Sequence, residues 1–259
     1  MDFKISFFCV ATEPLKNLYP IKESIHSILP LADEVIVIFG RREEETEKYL
    51  LNLNKKIKLI NTDKWNIDWS YDIMTYHFDF ALKQCSGDIC IKFDIDHIYR
   101  QTDINFINEF RNGLFSMINK YHIFYIPKYN YLPNNKFLMF ENGTYCINSY
   151  LLKKEGKKFN IGREKYVNTI IIEGDKKIYV IKDERYGFVN YDCTFMTKEL
   201  FIEKQYRWYM AYYKLFGDLE RFNITFDILN DNEKILKFVT DRVFNRIKWA
   251  KKKNVFYEF

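Results

Sequence analysis

Two carboxylates, Asp94 and Asp96, stand one residue apart at the end of an apolar run that begins at Ile89. The apolar side chains of residues 87–96 alternate as in a strand that is covered on both faces. Residues that follow such a strand lie at the carboxyl edge of a parallel sheet, where ligands bind. Two oxygen donors at this spacing suit Mg²⁺ or Mn²⁺, which can bridge the oxygens of a diphosphate. The alternative is a solvated turn after the strand.

The elements before this pair predict how the chain positions it. Apolar runs typical of buried strands lie at residues 4–10, 34–39, 57–60 and 89–93. Helical periodicity predicts a first helix that begins near Thr12 as its N-cap and ends at Pro30, followed by helices at 43–53 and 72–84. This alternation predicts an α/β fold with a mostly parallel central sheet flanked by helices.

The second half of the chain has a different pattern. After a helix at residues 104–119, the segment 122–189 alternates strand-like runs with polar turns, which is typical of a β-rich half that carries specificity in its loops. The predicted strands of this segment are 123–126, 136–140, 145–147, 169–172 and 178–181. Helices at 198–216 and 230–252 follow.

Composition limits the classes of function. The chain has 259 residues, of which 47% are hydrophobic and 29% are charged, as expected of one globular unit with a large core. A net charge of +5 allows an anionic ligand, but the dispersed basic residues do not favour nucleic acid. Five cysteines without a C-x-x-C pair, and no signal peptide or membrane span, predict reduced thiols and a cytoplasmic location.

Three segments in a fixed order resemble the GT-A fold glycosyltransferases of the family-2-like type, which includes small prokaryotic and viral enzymes. They are the turn at residues 9–13, the helix and Gly-Asp of residues 80–88, and the Asp94-Ile95-Asp96 motif. The resemblance covers residues 3–100 well and continues loosely to about residue 215. It implies metal-dependent transfer of a sugar, with inversion, from a nucleotide-sugar donor to a hydroxyl group of a glycan, lipid-linked or protein-linked acceptor.

The resemblance also implies an organisation within one compact domain. Residues 1–100 would form the nucleotide-sugar-binding half, residues 101–196 the acceptor-binding half, and residues 197–259 a C-terminal helical extension. In the first half, the turn of Ala11, Thr12 and Glu13 would hold the nucleotide. Glu13 would accept hydrogen bonds from the ribose or base, although a carboxylate at a helix N-terminus is an equally good interpretation.

The acidic pair takes its roles from the same resemblance. Asp96 would bind the divalent cation, Mn²⁺ or Mg²⁺, and Asp94 would contact the ribose or reach the cation through water. The family often has an aspartate after its second strand, whereas this chain has Arg41 and Arg42, either of which could contact phosphate or base. Arg41 is therefore included among the predicted nucleotide-binding residues, and the identity of the base stays open.

A third metal ligand, commonly a histidine in this family, comes from a late segment. Here that segment contains Asn190 and Asp192, either of which could supply an oxygen. His77, on the predicted helix at 72–84, fits a structural role better than a ligand role.

The base that accepts a proton from the acceptor hydroxyl should be a carboxylate of the second half. Glu141, which follows an apolar run and precedes a predicted turn, is the first candidate, and Glu164, in a charged loop, is the second. Asp183 and Glu184 are further candidates.

Several other features have two interpretations each. Trp65, Trp69 and Tyr71 could pack against a sugar ring, although core packing is commoner for tryptophan. The basic, aromatic run at 242–253 could dock on an anionic membrane, or it could pack its apolar face on the core.

Two other functions compete with sugar transfer. A sugar-phosphate nucleotidyltransferase would have a glycine-rich loop after the first strand, and residues 11–14 contain no glycine. An inactive GT-A-like module that binds a glycan or a partner is the other alternative, and the intact acidic pair argues against it.

Overall fold

A computed structural model describes residues 3–65, 70–99, 104–131, 137–164, 167–182, 187–190, 197–219, 222–252 and 256–258. The first part alternates strands and helices: β1 (Ile5–Ala11), α1 (Ile21–Ile28), β2 (Glu34–Phe39), α2 (Glu44–Leu53), β3 (Ile57–Asn61), α3 (Tyr71–Gln84) and β4 (Ile89–Lys92). The middle contains β5 (His97–Tyr99), α4 (Ile104–Met117), β6 (Ile123–Tyr131), β7 (Phe137–Asn148), α5 (Ser149–Lys154), β8 (Phe159–Glu164), β9 (Val167–Ile172), β10 (Ile178–Val180) and β11 (Phe188–Asn190). The last part contains α6 (Lys198–Phe216), α7 (Phe226–Leu229), α8 (Asn232–Lys252) and β12 (Phe256–Glu258).

The central sheet is mixed, and its first half is parallel. The strand order is β3-β2-β1-β4-β7-β6-β11-β5, and β3, β2, β1 and β4 are parallel to one another. β7 pairs antiparallel with β4 and joins the second half of the chain to the first. The predicted α/β fold with helices around a central sheet is confirmed. The parallel half places the ends of β1, β2 and β4 at one edge, where the predicted site residues follow them.

The two faces of the sheet are covered by different parts of the chain. One apolar core lies between the sheet and helices α1 and α4, and it contains Phe7, Val35 and Ile91. The other lies between the sheet, α3 and the β8–β9 hairpin, and it contains Phe8 and Ile161. Strands buried on both faces explain the near-continuous apolar runs in β1, β2 and β4.

Buried hydrogen bonds fix β4 against β1. The Glu34 carboxylate accepts hydrogen bonds from the Ser6 hydroxyl at 2.6 Å and from the Ser86 backbone amide at 2.9 Å. The Ser6 hydroxyl in turn accepts a bond from the Gly87 amide, and a Cβ atom on Gly87 would lie 2.6 Å from the same oxygen. The turn before β4 therefore has one fixed position, and so does the acidic pair at the far end of the strand.

The prediction that one helix runs from Thr12 to Pro30 is wrong. Residues 12–18 form turns, and α1 begins only at Ile21, after Pro20. Glu13 and Leu18 have φ angles of 42° and 54°, a left-handed conformation that interrupts a helix. Thr12 is therefore not an N-cap, and the interpretation of Glu13 as a carboxylate at a helix N-terminus is also wrong.

The turn predicted after Glu141 is also wrong, because β7 continues from Phe137 to Asn148. Its pairing with β6 changes register between Ile126 and Lys128, which oppose Thr144 and Glu141 respectively. The shift lies opposite Pro127, which has no backbone N–H to donate to the ladder. A β-bulge at this point replaces the predicted turn.

The C-terminal helices form a third apolar cluster around Tyr209 and Ile224. Helix α6 also contacts the segment that follows β1. Lys204, which is nearly buried, donates from Nζ to the Tyr19 hydroxyl at 3.0 Å. The basic run at 242–253 begins within α8, and its side chains from residue 243 onward lie outside the described residues. Among the described residues, no helix has both the length and the apolarity that a membrane span requires.

Candidate active site

The acidic pair and a histidine form a cluster just beyond β4. One ligand atom from each of Asp94, Asp96 and His97 lies within 4.8 Å of the others. The backbone N–H of His97 donates to the Asp94 carbonyl at 2.9 Å, which makes a tight turn and brings both carboxylates to the same side. The two carboxylates supply oxygen atoms of the kind that Mg²⁺ or Mn²⁺ accepts as ligands. The predicted solvated turn is not supported, because Asp96 and His97 are nearly buried.

His97 is a residue that the sequence interpretation missed. Its Nδ1 accepts the backbone N–H of Asp94 at 3.3 Å, so the neutral ring carries its proton on Nε2. Nε2 lies 3.4 Å from Oδ2 of Asp94 and 3.8 Å from Oδ1 of Asp96. The ring therefore faces both carboxylates from within the protein. Its adjacency to Asp96 was the available signal, whereas the family pattern directed attention to a late histidine.

Lys92, the last residue of β4, provides a cation to the same cluster. Its Nζ lies 2.7 Å from Oδ1 of Asp94 and 4.3 Å from the centre of the Phe78 ring. The Lys92 side chain is only 12% exposed. Burial by itself opposes ionisation of Asp94, but the charge and hydrogen bond of Lys92, together with the adjacent His97 ring, outweigh it and hold the pKa of Asp94 well below its ordinary value. Asp94 is therefore an anion at neutral pH.

The turn after β1 brings together two of the predicted nucleotide-binding residues. The Glu13 carboxylate lies 3.6 Å from Nη1 of Arg41 and 3.1 Å from Nζ of Lys16. Glu43, from the start of α2, accepts the backbone N–H groups of Leu15 and Lys16, both at 3.0 Å. The ion pair and these bonds hold the turn against the segment after β2, so the ends of β1 and β2 form one surface.

Two buried hydroxyl groups flank this edge. Among the described residues, Thr12 Oγ1 and the Tyr145 hydroxyl have no hydrogen-bond partner. Thr12 directly follows Ala11, the last residue of β1. Burial, and then the charge of Asp94, raise the pKa of Tyr145, which places its hydroxyl within the field of the acidic cluster. Buried hydroxyl groups normally have partners, so both groups fit a site that takes a polar ligand.

The segment that contains Asn190 and Asp192 begins at β11, which is paired in the sheet with the strand that carries His97. β11 pairs antiparallel with β5, and Asn190 is opposite His97 in the register. The backbone of Asn190 is thus next to the acidic cluster, as a third ligand would require. Its side chain and Asp192 lie outside the described residues, so both remain predictions.

The two candidate bases lie on different elements. Glu141 is opposite Lys128 on β6, on the part of β7 that continues past the level of Lys92. Glu164 ends β8 next to Arg163, whose Nε is 3.3 Å from Asp72 in the first turn of α3. Both backbones lie toward the carboxyl edge of the parallel strands, and both side chains lie outside the described residues.

Other singled-out side chains have structural roles. Trp65 is buried and packs edge-on against His77, with ring centres 4.7 Å apart. His77 contacts the Ile73 carbonyl through Nδ1 and the Thr62 hydroxyl through Nε2, so the structural interpretation is confirmed. Trp69, Asp183 and Glu184 lie outside the described residues.

Neither a protein-family model nor a curated protein sequence matches the chain. Among solved structures, residues 1–349 of S. aureus TarS in complex with UDP-GlcNAc are similar at 14% identity and a TM-score of 0.46, over 84% of this chain and 69% of that one. Mannosyltransferase PcManGT from Pyrobaculum calidifontis, in complex with GDP-Man and Mn²⁺, is similar at 10% identity and a TM-score of 0.49, over 84% and 65%. A Bacillus anthracis protein described as a glucose-1-phosphate thymidylyltransferase has 14% identity and a TM-score of 0.33, over 58% and 75%. The chain itself has an α/β fold with a mixed central sheet flanked by helices, which is the architecture that the sequence resemblance implies.

Proposed function

We propose that this chain is a metal-dependent glycosyltransferase that moves a sugar from a nucleotide-diphosphate sugar to a hydroxyl acceptor, with inversion at the anomeric carbon. The observation that carries the proposal is the cluster of Asp94, Asp96 and His97 at the carboxyl edge of β4. This is the edge of an open α/β sheet at which ligands bind. The turn at 11–13, with its ion pair to Arg41, stands at the end of the adjacent strand β1.

The donor nucleotide would lie over the ends of β1 and β2. The backbone of Ala11 and Thr12 and the side chains of Glu13 and Arg41 line this surface. Arg41 is 52% exposed and supplies donors suited to phosphate or a base edge, while Glu13 can accept from ribose hydroxyls. The unpartnered hydroxyl of Thr12 would gain a hydrogen bond when the nucleotide binds.

Asp96 would hold a divalent cation directly, and Asp94 would hold it directly or through water. A bound cation would neutralise the charge that develops on the diphosphate as the sugar leaves. His97 would orient both carboxylates through Nε2, which lies 3.4 Å from Asp94 and 3.8 Å from Asp96. Asn190 or Asp192 would complete the oxygen ligands.

The acceptor would enter between the start of β7 and the β8–β9 hairpin, in the half of the chain at residues 101–196. Glu141 would accept the proton of the attacking hydroxyl, with Glu164 as the second candidate. A glycan on a lipid or protein is the proposed acceptor class. For a lipid-linked acceptor, the C-terminal extension at 197–259 would contact the inner face of a membrane through its basic run at 242–253.

The test is the release of nucleoside diphosphate from UDP-, GDP- and dTDP-sugars, and of CMP from CMP-sugars, with Mn²⁺ or Mg²⁺ and a panel of glycan acceptors. The proposal requires metal-dependent release from one donor, together with a new glycosidic product. Pyrophosphate release from a nucleoside triphosphate and a sugar phosphate would instead identify a nucleotidyltransferase. Binding of a glycan with no turnover of any donor would identify an inactive binding module.

A further inference from the structure

Lys92 is an unusual neighbour for a metal site. Its ammonium nitrogen lies 2.7 Å from the Asp94 carboxylate, which the site would offer to a divalent cation. An ammonium and a divalent cation repel each other at such distances, and partial burial weakens the screening by water. A cation that approaches Asp94 must therefore compete with Lys92 or bind beside it.

The backbone of Lys92 cannot move away to relieve this competition. Lys92 is paired in register with Phe8 of β1, and its carbonyl accepts the Thr144 hydroxyl of β7 at 2.9 Å. The ammonium nitrogen itself lies over the Phe78 ring, 4.3 Å from its centre. Only the side chain can adjust, so the ammonium group stays tethered next to Asp94.

We propose that Lys92 is a built-in counter-cation, which weakens the binding of a divalent cation alone and strengthens the binding of a nucleotide diphosphate once that cation is present. The proposal deepens the proposed function and rests on it. It makes Lys92 a positioning and affinity-setting residue of the donor site, in addition to the acidic pair.

The reason lies in the charge of the cluster. With His97 neutral, Asp94, Asp96 and Lys92 together carry one net negative charge, and a bound divalent cation makes the cluster positive. A diphosphate is then attracted to it. Without Lys92, the two carboxylates would neutralise the cation completely, and the electrostatic attraction of the diphosphate to the cluster would be weaker. Lys128, on β6, adds to the positive field at Asp94.

The test compares Lys92→Met with the wild type, because methionine keeps most of the apolar stem and removes the charge. The matched control is Lys83→Met, which removes a lysine that is 2.6 Å from Asp79 but lies on the exposed side of α3. Mn²⁺ affinity is measured without nucleotide, by electron paramagnetic resonance of the free ion. Affinity for UDP and GDP is then measured by calorimetry at saturating Mn²⁺.

We expect Lys92→Met to bind Mn²⁺ alone more tightly, on the order of tenfold, and to bind the nucleoside diphosphate more weakly by a similar factor. Lys83→Met should match the wild type in both measurements. Lys92→Gln, whose folding is checked by circular dichroism, is the second neutral variant should Lys92→Met not fold. Lys92→Arg keeps the charge and should stay within about threefold of the wild type.

If the neutral variants Lys92→Met and Lys92→Gln bind Mn²⁺ with the same affinity as the wild type, the proposal is overturned. Absence of Mn²⁺ binding in the wild type and in every variant would overturn it together with the metal role of Asp96. If the Mn²⁺ affinities change as expected but neither UDP nor GDP binds, the role of Lys92 toward the metal stands and its role toward the nucleotide diphosphate fails. If donors are turned over while Lys92→Met binds Mn²⁺ as the wild type does, the function stands and this inference fails.

Discussion

Oε2 of Glu13 lies 3.6 Å from Nη1 of Arg41, so an ion pair connects the turn after β1 to the residue that follows Gly40 at the end of β2. Both side chains are partly exposed, at 24% and 52%. An exposed pair of this kind contributes at most about 1 kcal/mol to the free energy of unfolding. Its significance therefore lies in the shape and charge of the proposed nucleotide surface.

Replacement of Arg41 should affect nucleotide binding and leave stability unchanged. We expect Arg41→Ala to weaken nucleotide affinity on the order of tenfold, because a charge-assisted contact is lost. The melting temperature should stay close to the wild-type value. Calorimetry with the donor nucleotide and Mn²⁺ measures the first effect, and a thermal melt measures the second. Arg42→Ala is the control, since Arg42 pairs with Glu47 at 2.7 Å and should not change nucleotide affinity.

Gly40 should not tolerate a side chain. A Cβ atom at this position would overlap the Trp65 ring and lie 2.7 Å from Thr12 Oγ1. We expect Gly40→Ala to reduce the free energy of unfolding in urea by about 1 to 3 kcal/mol, because the buried Trp65 ring must move. Gly113, on α4, is the control, because a Cβ atom at this position would meet nothing within 4 Å. We expect Gly113→Ala to raise the free energy of unfolding by about 0.5 to 1 kcal/mol. Equal effects of the two substitutions would contradict the packing described around Trp65.

The sequence predicted the parallel half of the sheet more accurately than the site that the sheet positions. Continuous apolar runs locate β1, β2 and β4 because buried strands leave no other pattern. The segment 12–18 resembles a helix start because Thr12 is a common N-cap residue and Pro14 suits a first turn. The left-handed φ of Glu13 leaves no sequence signal in a non-glycine residue. The pairing of Lys92 with Asp94 depends on strand geometry, in which side chains two residues apart share a face.

Stability should fall in acid partly through Glu34. Burial opposes its ionisation, but hydrogen bonds from Lys58, Ser6 and Ser86 outweigh burial and lower its pKa below the ordinary 4.5. A lowered pKa in the folded state stabilises the protein above about pH 4.5, and this contribution is lost as the pH falls toward the folded-state value. We expect Glu34→Gln to lower the free energy of unfolding at pH 7 by about 1 to 3 kcal/mol.

Urea denaturation at a series of pH values from 7 down to about 3 measures this effect. The difference in the free energy of unfolding between Glu34→Gln and the wild type should shrink as the pH falls. Glu45→Gln, on an exposed part of α2, serves as the control and should follow the wild type at each pH. A difference that stays constant with pH would show that packing, not the ionised carboxylate, accounts for the effect.

The two candidate bases can be separated kinetically. Removal of a general base lowers kcat by about 10²–10⁴-fold while donor binding is retained. We expect this result for Glu141→Gln and a much smaller loss for Glu164→Gln, with both variants binding nucleotide as the wild type does. Turnover is measured as nucleoside diphosphate release, and binding by calorimetry. The reverse order of the two losses would assign the base to Glu164.

The most direct test of the donor site is a thermal-shift measurement on the wild type and on Asp96→Asn, with UDP-, GDP-, CMP- and dTDP-sugars, each with and without Mn²⁺. A ligand that binds the native state raises its melting temperature. We predict that one nucleotide class raises the melting temperature of the wild type only when Mn²⁺ is present, and that Asp96→Asn loses this shift while its ligand-free melting temperature stays near that of the wild type. No shift with any nucleotide, or an equal shift in Asp96→Asn, would contradict a metal-dependent nucleotide-sugar site at the end of β4.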